Sequence, residues 1–244
     1  MAQIELRDVF KSFGNSKALN GVNCTLPCGM PETIALVGPN GAGKTTLLKI
    51  ATGLLLPSSG EAAFVDGSRR CSVDDYEIRT HITFVLPGDR NLFFRNTVLE
   101  NIEYSAAIRK QDPKAASQKV KYYADKLNMS NFLKTQVGNL STGERKKASI
   151  LAGLCTDTKL LIMDEPSNGL DIDSVLELQS IVMGIRANGK VTVVVSSHDV
   201  NMLSGIATRY IYIRKGKIVW ENGGEMNPEE IIATYKTLMQ EVQQ

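Results

Sequence analysis

A loop motif at positions 38–45 constrains this chain more than any other feature of its sequence. It reads GPNGAGKT, which fills the pattern G-x-x-x-x-G-K-[ST], and it follows an apolar run at 34–37. Its glycines let consecutive backbone N–H groups turn inward on phosphates, while Lys44 can reach the outer phosphates and the Thr45 hydroxyl can ligate Mg²⁺. Helix formers follow at 47–50, so the positive end of a helix would also face the anion. A glycine-rich turn is the plainer alternative, but the strand, loop and helix context favours a nucleotide-phosphate site.

Composition indicates one globular unit without the charge pattern of a nucleic-acid binder. The 244 residues are 43% apolar, enough for a substantial core, and the formal charge is only +2 with no polybasic block. We therefore expect no nucleic-acid partner. The longest strongly apolar runs fall far short of the ~20 residues that cross a bilayer, and the start MAQIELRDVF lacks the regions of a secretory signal. These features predict a soluble protein of the cytosol.

The cysteines predict buried thiols and not a metal site. Cys24 and Cys28 have no second Cys or His pair that would complete a zinc site. Cys71 and Cys155 are isolated from them along the chain.

Hydrophobic periodicity predicts an α/β fold with a mostly parallel sheet. Alternating runs at 4–9 and 60–65 indicate half-exposed antiparallel strands early in the chain. Further on, several apolar runs are continuous, as in strands buried on both faces of a helix-covered parallel sheet. These runs lie at 34–37, 82–86, 160–163 and 191–195.

Helical and hairpin signals complete the predicted architecture. Residues 97–158 have a helical pattern, with Asp112 and Pro113 as a cap and first-turn pair. Residues 210–213 and 217–220 predict a hairpin, and a last helix begins at 227–228 with an apolar stripe. The stripe consists of Ile231, Tyr235, Leu238 and Val242.

We predict a single domain over residues 1–244. Its P-loop NTPase core spans 1–87 and 159–223 and includes an N-terminal antiparallel β lobe. An inserted all-helical lobe occupies 88–158, and a C-terminal helix occupies 224–244.

Two acids and a histidine follow buried strands, where a phosphate-binding sheet places its reacting groups. Asp164 is the candidate Mg²⁺ ligand, and Glu165 would project toward the γ-phosphate, where a carboxylate can orient and deprotonate the attacking water. His198 follows a further strand and could contact the γ-phosphate or that water. The alternatives are that the two acids are merely solvated and that the histidine is structural, as we expect for His81.

A second anion site is predicted where the sequence LSTGE precedes a helical pattern. Ser141 and Glu144 satisfy the capping box S-x-x-E, which alone could account for the sequence. A helix start with Ser and Gly can also bind an anion, and a protein that holds one nucleotide rarely needs two such sites.

The chain thus has four elements, namely the phosphate loop at 38–45, residues 140–144, the acids Asp164 and Glu165, and His198. In order and spacing they resemble those of an ABC transporter ATPase subunit, and the resemblance covers essentially the whole chain. It implies binding of ATP with Mg²⁺ and hydrolysis with Glu165, His198 and Lys44 as the catalytic residues. Residues 140–144 resemble the signature that caps the ATP held by a second subunit, so two identical or paralogous chains would sandwich two ATP molecules head to tail. The implied ATP contacts are Phe13, Gly38, Pro39, Asn40, Gly41, Ala42, Gly43, Lys44, Thr45, Thr46, Ser141, Thr142, Gly143, Glu144 and Asp171.

Two of these contacts depend on smaller features. Phe13 resembles the aromatic residue that stacks on adenine, and an ordinary core phenylalanine is the alternative. Asp171 resembles part of the loop that crosses between subunits beside the hydrolysis site, and as a bare Asp it could equally cap a helix.

The sequence departs from the family pattern at two places that bear on the site. No glutamine follows the run at 82–86, where the family places a Mg²⁺ contact, and Asp89 could take that contact beside Thr45 and Asp164. The signature has Thr142 and Glu144 where Gly and Gln are commonest, and the glutamate adds an acid near a triphosphate.

Residues 88–96 resemble the corresponding loop of ATPases paired with polysaccharide and drug exporters. Arg90, Phe93 and Phe94 would then be exposed contacts for a transmembrane permease, in keeping with the enrichment of aromatic residues and Arg at interface cores. The alternative is that the two phenylalanines pack under the helical lobe. Export is the direction that this resemblance favours.

The sequence therefore predicts a transport ATPase that is cytoplasmic and peripheral at the inner face of the cell membrane. ATP would close two cassettes, hydrolysis would reopen them, and the motion would drive a separate permease. An alternative is a soluble ATPase of the same family that serves assembly, such as the iron–sulfur scaffold type. A third class is a binding module without turnover, against which the presence of both Glu165 and His198 argues.

Overall fold

The computed structural model describes residues 1–240, over which the chain forms two sheets and eight α-helices. The strands are β1 (Gln3–Phe13), β2 (Ser16–Pro27), β3 (Thr33–Val37), β4 (Ser59–Asp66), β5 (Arg69–Ser72), β6 (Ile82–Val85), β7 (Leu160–Asp164), β8 (Thr192–Ser196), β9 (Arg209–Arg214) and β10 (Lys217–Gly223). The helices are α1 (Lys44–Ala51), α2 (Tyr76–Arg79), α3 (Val98–Ala107), α4 (Pro113–Lys126), α5 (Thr142–Leu154), α6 (Ile172–Ala187), α7 (Val200–Ile206) and α8 (Pro228–Gln240). The end of the predicted C-terminal helix, 241–244 with Val242, lies outside the described residues.

The larger sheet confirms the predicted parallel core. Its strand order is β10-β9-β3-β8-β7-β6, and every neighbouring pair from β9 to β6 is parallel. The predicted hairpin adds β10 antiparallel at one edge. All residues of β3, β7 and β8 are buried, as expected for central strands with a layer on each face.

Side chains of the central strands alternate between two hydrophobic clusters, one on each face of the sheet. In β3, Ala35 and Val37 join the cluster built with helices α3 to α8, whereas Ile34 and Leu36 join the cluster built with the smaller sheet and α1. The continuous apolar runs therefore supply two cores at once.

The smaller sheet confirms the predicted antiparallel start of the chain. Its order is β2-β1-β4-β5, so the two predicted strands are β1 and β4, and β2 and β5 are additions that the sequence patterns did not indicate. Strand β1 continues to Phe13, beyond the predicted end at residue 9, and its register with β2 shifts between Leu6 and Val9. Asp8 lies in that shift with φ of +45°, which breaks the alternation on which the prediction relied.

The predicted helical segment contains α3, α4 and α5, joined in part by 3₁₀ turns at Ser130–Phe132 and Val137–Asn139. Asp112 caps α4 with Pro113 in the first turn, as predicted, and Thr97 caps α3 through a capping box that the sequence analysis did not predict. Among the helices of the described region, none is long and apolar enough to cross a bilayer.

The cysteines behave as structural thiols. Burial raises the pKa of Cys24, Cys28 and Cys155 to about 12, which disfavours the thiolate that a metal or an oxidant would require. Cys71 is half-buried.

Close packing of α5 on β6 depends on Gly153. A Cβ added there would lie 2.5 Å from Cγ2 of Val85, a fully buried and stiff side chain. Gly184 in α6 offers a matched position, because an added Cβ would meet nothing within 4 Å.

We expect Gly153→Ala to lower the free energy of unfolding by about 1–3 kcal/mol, since overpacking outweighs the helix propensity gained from Ala. The control, Gly184→Ala, should raise it by about 0.5–1 kcal/mol. Urea unfolding followed by far-UV circular dichroism measures both. Stabilisation by both substitutions would show that α5 does not pack on β6 this closely.

Candidate nucleotide site

The carboxyl ends of three neighbouring strands bring the predicted groups to one edge of the sheet. Strands β3, β8 and β7 lie side by side, and the loop at 38–45, His198 and Glu165 follow them in that order. Asp164 at the end of β7 is in register with Ser196 at the end of β8. Ligands of open α/β sheets bind at this edge.

The loop at 38–45 packs directly against β2. Gly43 has φ of +108°, and a Cβ added there would lie 2.6 Å from the carbonyl oxygen of Ala18. Only glycine meets both conditions, so the motif glycine is required by the backbone path itself.

Helix α1, which follows the loop, begins without a capping side chain. Its N-cap is Gly43, no side chain accepts from its first turn, and that turn contains no acid. In every other α-helix of residues 1–240, a side chain at the N-terminus accepts a hydrogen bond from a backbone N–H of the first turn. These accepting residues are Asp75, Thr97, Asp112, Ser141, Asp171, Asp199 and Asn227. The free donors of α1 are therefore the natural binding site for a phosphate.

Lys44 lies across the loop and is almost fully buried. Its Nζ donates to the carbonyl oxygens of Gly38 at 2.7 Å and Pro39 at 3.3 Å, and lies 3.6 Å from Oε1 of Glu165. The ammonium is thus held where it faces both the loop and the acid that follows β7.

Thr45 and Asp164 form an oxygen-rich pair of the kind that Mg²⁺ requires. Thr45 Oγ1 donates to Asp164 Oδ2 at 2.6 Å, and the Ser196 hydroxyl donates to Asp164 Oδ1. Asp164 is fully buried, so these hydroxyl groups satisfy a carboxylate that water does not reach. Hard oxygen donors suit Mg²⁺, and both predicted ligands therefore fit a Mg²⁺ ion bound with ATP.

Glu165 links the lysine to the histidine. Its Oε2 lies 2.9 Å from Nδ1 of His198, while its Oε1 faces Lys44. Its φ of +49° is uncommon for a residue with a side chain, and its backbone N–H donates to the carbonyl oxygen of Ser196 at 3.0 Å. His198 is 65% exposed, so the pair stands at the rim of the site, open to water.

Phe13 lies beside the phosphate loop and outside the core. Its side chain is 53% exposed, which excludes the alternative of an ordinary core residue. It lines a cavity of about 280 Å³ together with Thr45, Thr46 and Arg90. An aromatic ring next to the loop suits the stacking of a base.

At the second predicted anion site, a capping box occupies two of the backbone N–H groups. Ser141 Oγ accepts from the N–H of Glu144 at 3.3 Å, and the Glu144 carboxylate accepts from the N–H of Ser141 at 2.7 Å. The backbone N–H of Ser141 first, and then the Ser141 hydroxyl, lower the pKa of Glu144 by stabilising its carboxylate. The capping box that the sequence left as an alternative is therefore present, with Thr142 and Gly143 in the first turn of α5.

Asp171 caps helix α6, which is the alternative given above to its role between subunits. Its carboxylate accepts from the N–H of Ser174 at 2.7 Å at the start of α6, and the Ser174 hydroxyl first, then this N–H, lower its pKa. It also lies 3.7 Å from Nζ of Lys147 in α5. The loop before α6 and the helix after residues 140–144 are thus in contact.

Asp89 pairs with the helical segment and not with the Thr45–Asp164 pair. It lies 3.7 Å from Arg145 in α5, a contact that does not favour its predicted role as a metal ligand. The Arg145 guanidinium also stacks over Phe94, 5.1 Å from the ring centroid. Phe93 packs edge to face on Tyr104. Both phenylalanines keep more than two-fifths of their surface exposed, so they are not buried under the helices.

Sequence reasoning missed Lys146, a buried cation near the two acids. Its side chain is 3% exposed and its Nζ has no hydrogen-bond partner in the described region. Burial lowers its pKa to about 8, against the opposing effect of Asp164 and Glu165. A signal was present, because Lys146 shares the helix face of Ile150 and Gly153, which packs on the sheet.

Comparison with known proteins agrees with this geometry. The family model described as ABC transporter matches residues 19–168, from β2 to the loop after β7. The chain belongs to the ABC transporter family. It is an ATP-binding and ATP-hydrolysing subunit of that family.

Individual relatives show how far the likeness extends. The chain is 32% identical over 221 residues to the energy-coupling factor transporter ATP-binding protein EcfA of Methanothermobacter thermautotrophicus, covering 89% of this chain and 70% of that protein. It is 32% identical to the ribose import ATP-binding protein RbsA of Bacillus subtilis, covering 94% of this chain but 47% of that protein, so it spans about half of the latter. The solved ATP-binding cassette MJ0796, a dimer in a post-hydrolysis state bound to ADP and Pi, superposes with a TM-score of 0.77 at 25% identity, covering 90% of this chain and 98% of that chain.

Replacing Lys146 with Met should raise the free energy of unfolding at pH 7 by about 1–3 kcal/mol, because a desolvated ammonium is removed. The folded pKa of about 8 lies below the ordinary 10.5, so wild-type stability rises between these two pH values as the unfolded chain alone retains the proton. The gain from Met should therefore shrink over that range. Urea unfolding at pH 7 and pH 10 tests this, with the exposed Lys121→Met as control. A gain of equal size at both pH values would contradict it.

Proposed function

We propose that this ABC ATPase closes head to tail on a second cassette around two ATP molecules and thereby drives a membrane permease. The observation that carries the proposal is the uncapped start of α1 beside Lys44, at the same sheet edge as the Thr45–Asp164 and Glu165–His198 pairs. Binding groups and candidate reacting groups for a triphosphate thus occupy one place.

The side chains support a division of labour in hydrolysis. Lys44 and the amides of α1 bind and orient the phosphates. Glu165 accepts the proton of the attacking water through a carboxylate oxygen, and His198 keeps that carboxylate in place through its Nδ1 contact. Thr45 and Asp164 would hold a Mg²⁺ ion, which neutralises phosphate charge when bound.

Sheet order supports the need for a second subunit. The loop at 38–45 follows β3, whereas α5 packs on β6, three strand spacings away, or roughly 14 Å. We therefore propose that residues 140–144 at the start of α5 serve the nucleotide of another cassette and not that of their own chain. A partner cassette, identical or paralogous, would bring its α5 to that nucleotide.

A membrane partner gives the exposed aromatic pair a role. Phe93 and Phe94 lie in the segment between β6 and α3, with Arg90 a few residues earlier, and we propose that they contact the permease. The cassette then works at the cytoplasmic face of the membrane.

The relatives bear on the direction of transport. The RbsA proteins are named for ribose import, and EcfA is named for an energy-coupling factor transporter. These names favour uptake and lend no support to the export that the loop at 88–96 suggested. They are also names of transporter proteins, which does not favour the iron–sulfur scaffold alternative.

Replacing Glu165 with Gln should reduce ATP turnover by about 10²–10⁴, because the amide cannot accept the proton of the attacking water. ATP binding should persist, and a dimer should accumulate with ATP. Phosphate release and size-exclusion chromatography measure the two effects. The control is Glu229→Gln, an exposed residue of α8. An unchanged rate in Glu165→Gln would remove this residue from the reaction.

The permease contact is tested by purification of the tagged chain from detergent-solubilised membranes. We expect a polytopic membrane protein in stoichiometric amount with the wild type, and its loss with Phe93→Ser combined with Phe94→Ser, because two aromatic anchors are removed. Tyr122→Ser, exposed on α4, is the control. Recovery of soluble partners alone would favour the scaffold alternative.

A further inference from the structure

A cavity of about 700 Å³ lies at the edge of the larger sheet opposite the nucleotide site. We call it the rear cavity. The segments that lead into β6, β7 and β8 form one side of it, and the residues between α3 and α4, with part of α4, form another. Its size is that of a small-molecule site, and a strand of five residues, roughly 16 Å, separates it from the phosphate loop.

Positive charge is concentrated in the rear cavity. Its cationic lining residues are Arg109, Lys110, Lys119, Lys159 and Lys190, and its acidic ones are Glu77 and Asp157. Both acids are already paired, Glu77 with Arg69 outside the cavity and Asp157 with Lys119.

Four of the cations are therefore left without an acidic partner. Within the described residues, Arg109, Lys110, Lys159 and Lys190 make no ion pair. The whole chain has a formal charge of only +2, so this local excess exceeds that of the entire molecule.

Helix ends account for only part of this charge. The carboxyl ends of α5 and α6 point toward the cavity, and cations near such ends are common. Arg109 does serve α3 in this way, since its Nη1 donates to the carbonyl oxygen of Ser105 at 2.7 Å. Lys159 and Lys190 donate no side-chain hydrogen bond in the described structure, so capping does not explain them.

Burial and nearby positive charges lower the pKa of two groups that line the cavity, His81 and Arg109. The pKa of His81 is lowered by burial first and then by Lys159 and Arg69. The pKa of Arg109 is lowered by burial and by Arg79, and the Nε of Arg109 is buried without a hydrogen-bond partner. An anion in the cavity would offset both effects.

The rear cavity also has an apolar part to its lining. Leu154 and Leu161 are buried in it, and Ile185, Val191 and Tyr123 extend that surface. Charged and apolar side chains thus line the same cavity. That combination suits a molecule with an anionic group and an apolar body.

The cavity also spans a joint between parts of the chain. Gln111, between α3 and α4, accepts from the N–H of Asp157 at 2.8 Å and donates to its carbonyl oxygen at 2.5 Å. The Tyr76 hydroxyl in α2 donates to the carbonyl oxygen of Ile108 at 2.8 Å. A molecule bound here would contact the helical segment and the sheet together.

We propose that the rear cavity is a second binding site, for a small amphipathic organic anion. Its anionic group would pair with Lys159, Lys190 and Arg109, and its apolar body would lie on Leu154 and Leu161. The site is independent of ATP hydrolysis and lies apart from every residue assigned to the nucleotide.

The test uses 1-anilinonaphthalene-8-sulfonate as a fluorescent probe of this class. We expect saturable binding in the presence of saturating ATP and Mg²⁺, and about tenfold weaker binding in the double variant Lys159→Gln, Lys190→Gln, since charge-assisted bonds are lost. The matched control, Lys121→Gln with Lys217→Gln, removes the same charge at exposed positions outside the cavity and should bind as the wild type does.

The neutral analogue N-phenyl-1-naphthylamine separates charge from apolar contact. It should bind more weakly than the sulfonate to the wild type and equally to both variants. Equal loss of sulfonate binding in the two double variants, or its complete displacement by ATP, would overturn the proposal. None of these measurements depends on ATP hydrolysis, so failure of this proposal would leave the assignment of the nucleotide site unchanged.

Discussion

The buried carboxylate of Asp164 is the group on which the arrangement of the nucleotide site depends. A carboxylate taken out of water must be hydrogen-bonded, and Thr45 of α1 and Ser196 of β8 supply the two hydroxyl groups. These bonds tie the helix after the phosphate loop to two central strands. Loss of either would leave a buried acceptor unsatisfied, at a cost of about 1–3 kcal/mol. The interaction that stabilises this edge of the core therefore also sets the position of the oxygens that we propose as Mg²⁺ ligands.

Charges from separate elements converge on the two acids that follow β7. Lys44 comes from the phosphate loop and His198 from the end of β8, and both contact Glu165. Lys146 approaches from α5, while its neighbour Lys147 contacts Asp171 before α6. Helix α5 is thus electrostatically linked to the two acids at the candidate hydrolysis site of its own chain. Movement of this helix would change the electrostatic environment of Glu165.

Local sequence patterns were enough to predict the structure wherever a single requirement, such as burial on both faces of a strand, determines the residue types. Strands buried on both faces are continuously apolar, so the parallel sheet and the side chains at its carboxyl edge followed from the sequence, and the loop at 38–45 contains its own backbone requirement at Gly43. The bulge at Asp8 hid the length of β1, because one unpaired residue reverses the alternation. The burial of Lys146 depends on how α5 packs against the sheet, and the position of Asp89 depends on its contact with Arg145. Both are contacts between segments that are distant in sequence. No pattern within a short window encodes them.

The contrast between the starts of α1 and α5 has a consequence for the lifetime of the closed assembly. A triphosphate that reaches α1 finds donors without a capping side chain. One that approaches α5 finds the N–H groups of Ser141 and Glu144 already bonded and meets the Glu144 carboxylate, whose lowered pKa keeps it ionised. Salt weakens attraction and repulsion between charges alike. Rising ionic strength should therefore lower the affinity of a single cassette for nucleotide and reduce the repulsion between that nucleotide and a second cassette. On this asymmetry, the contact between two cassettes would be weaker than the contact of each cassette with its nucleotide, and a closed assembly would be short-lived.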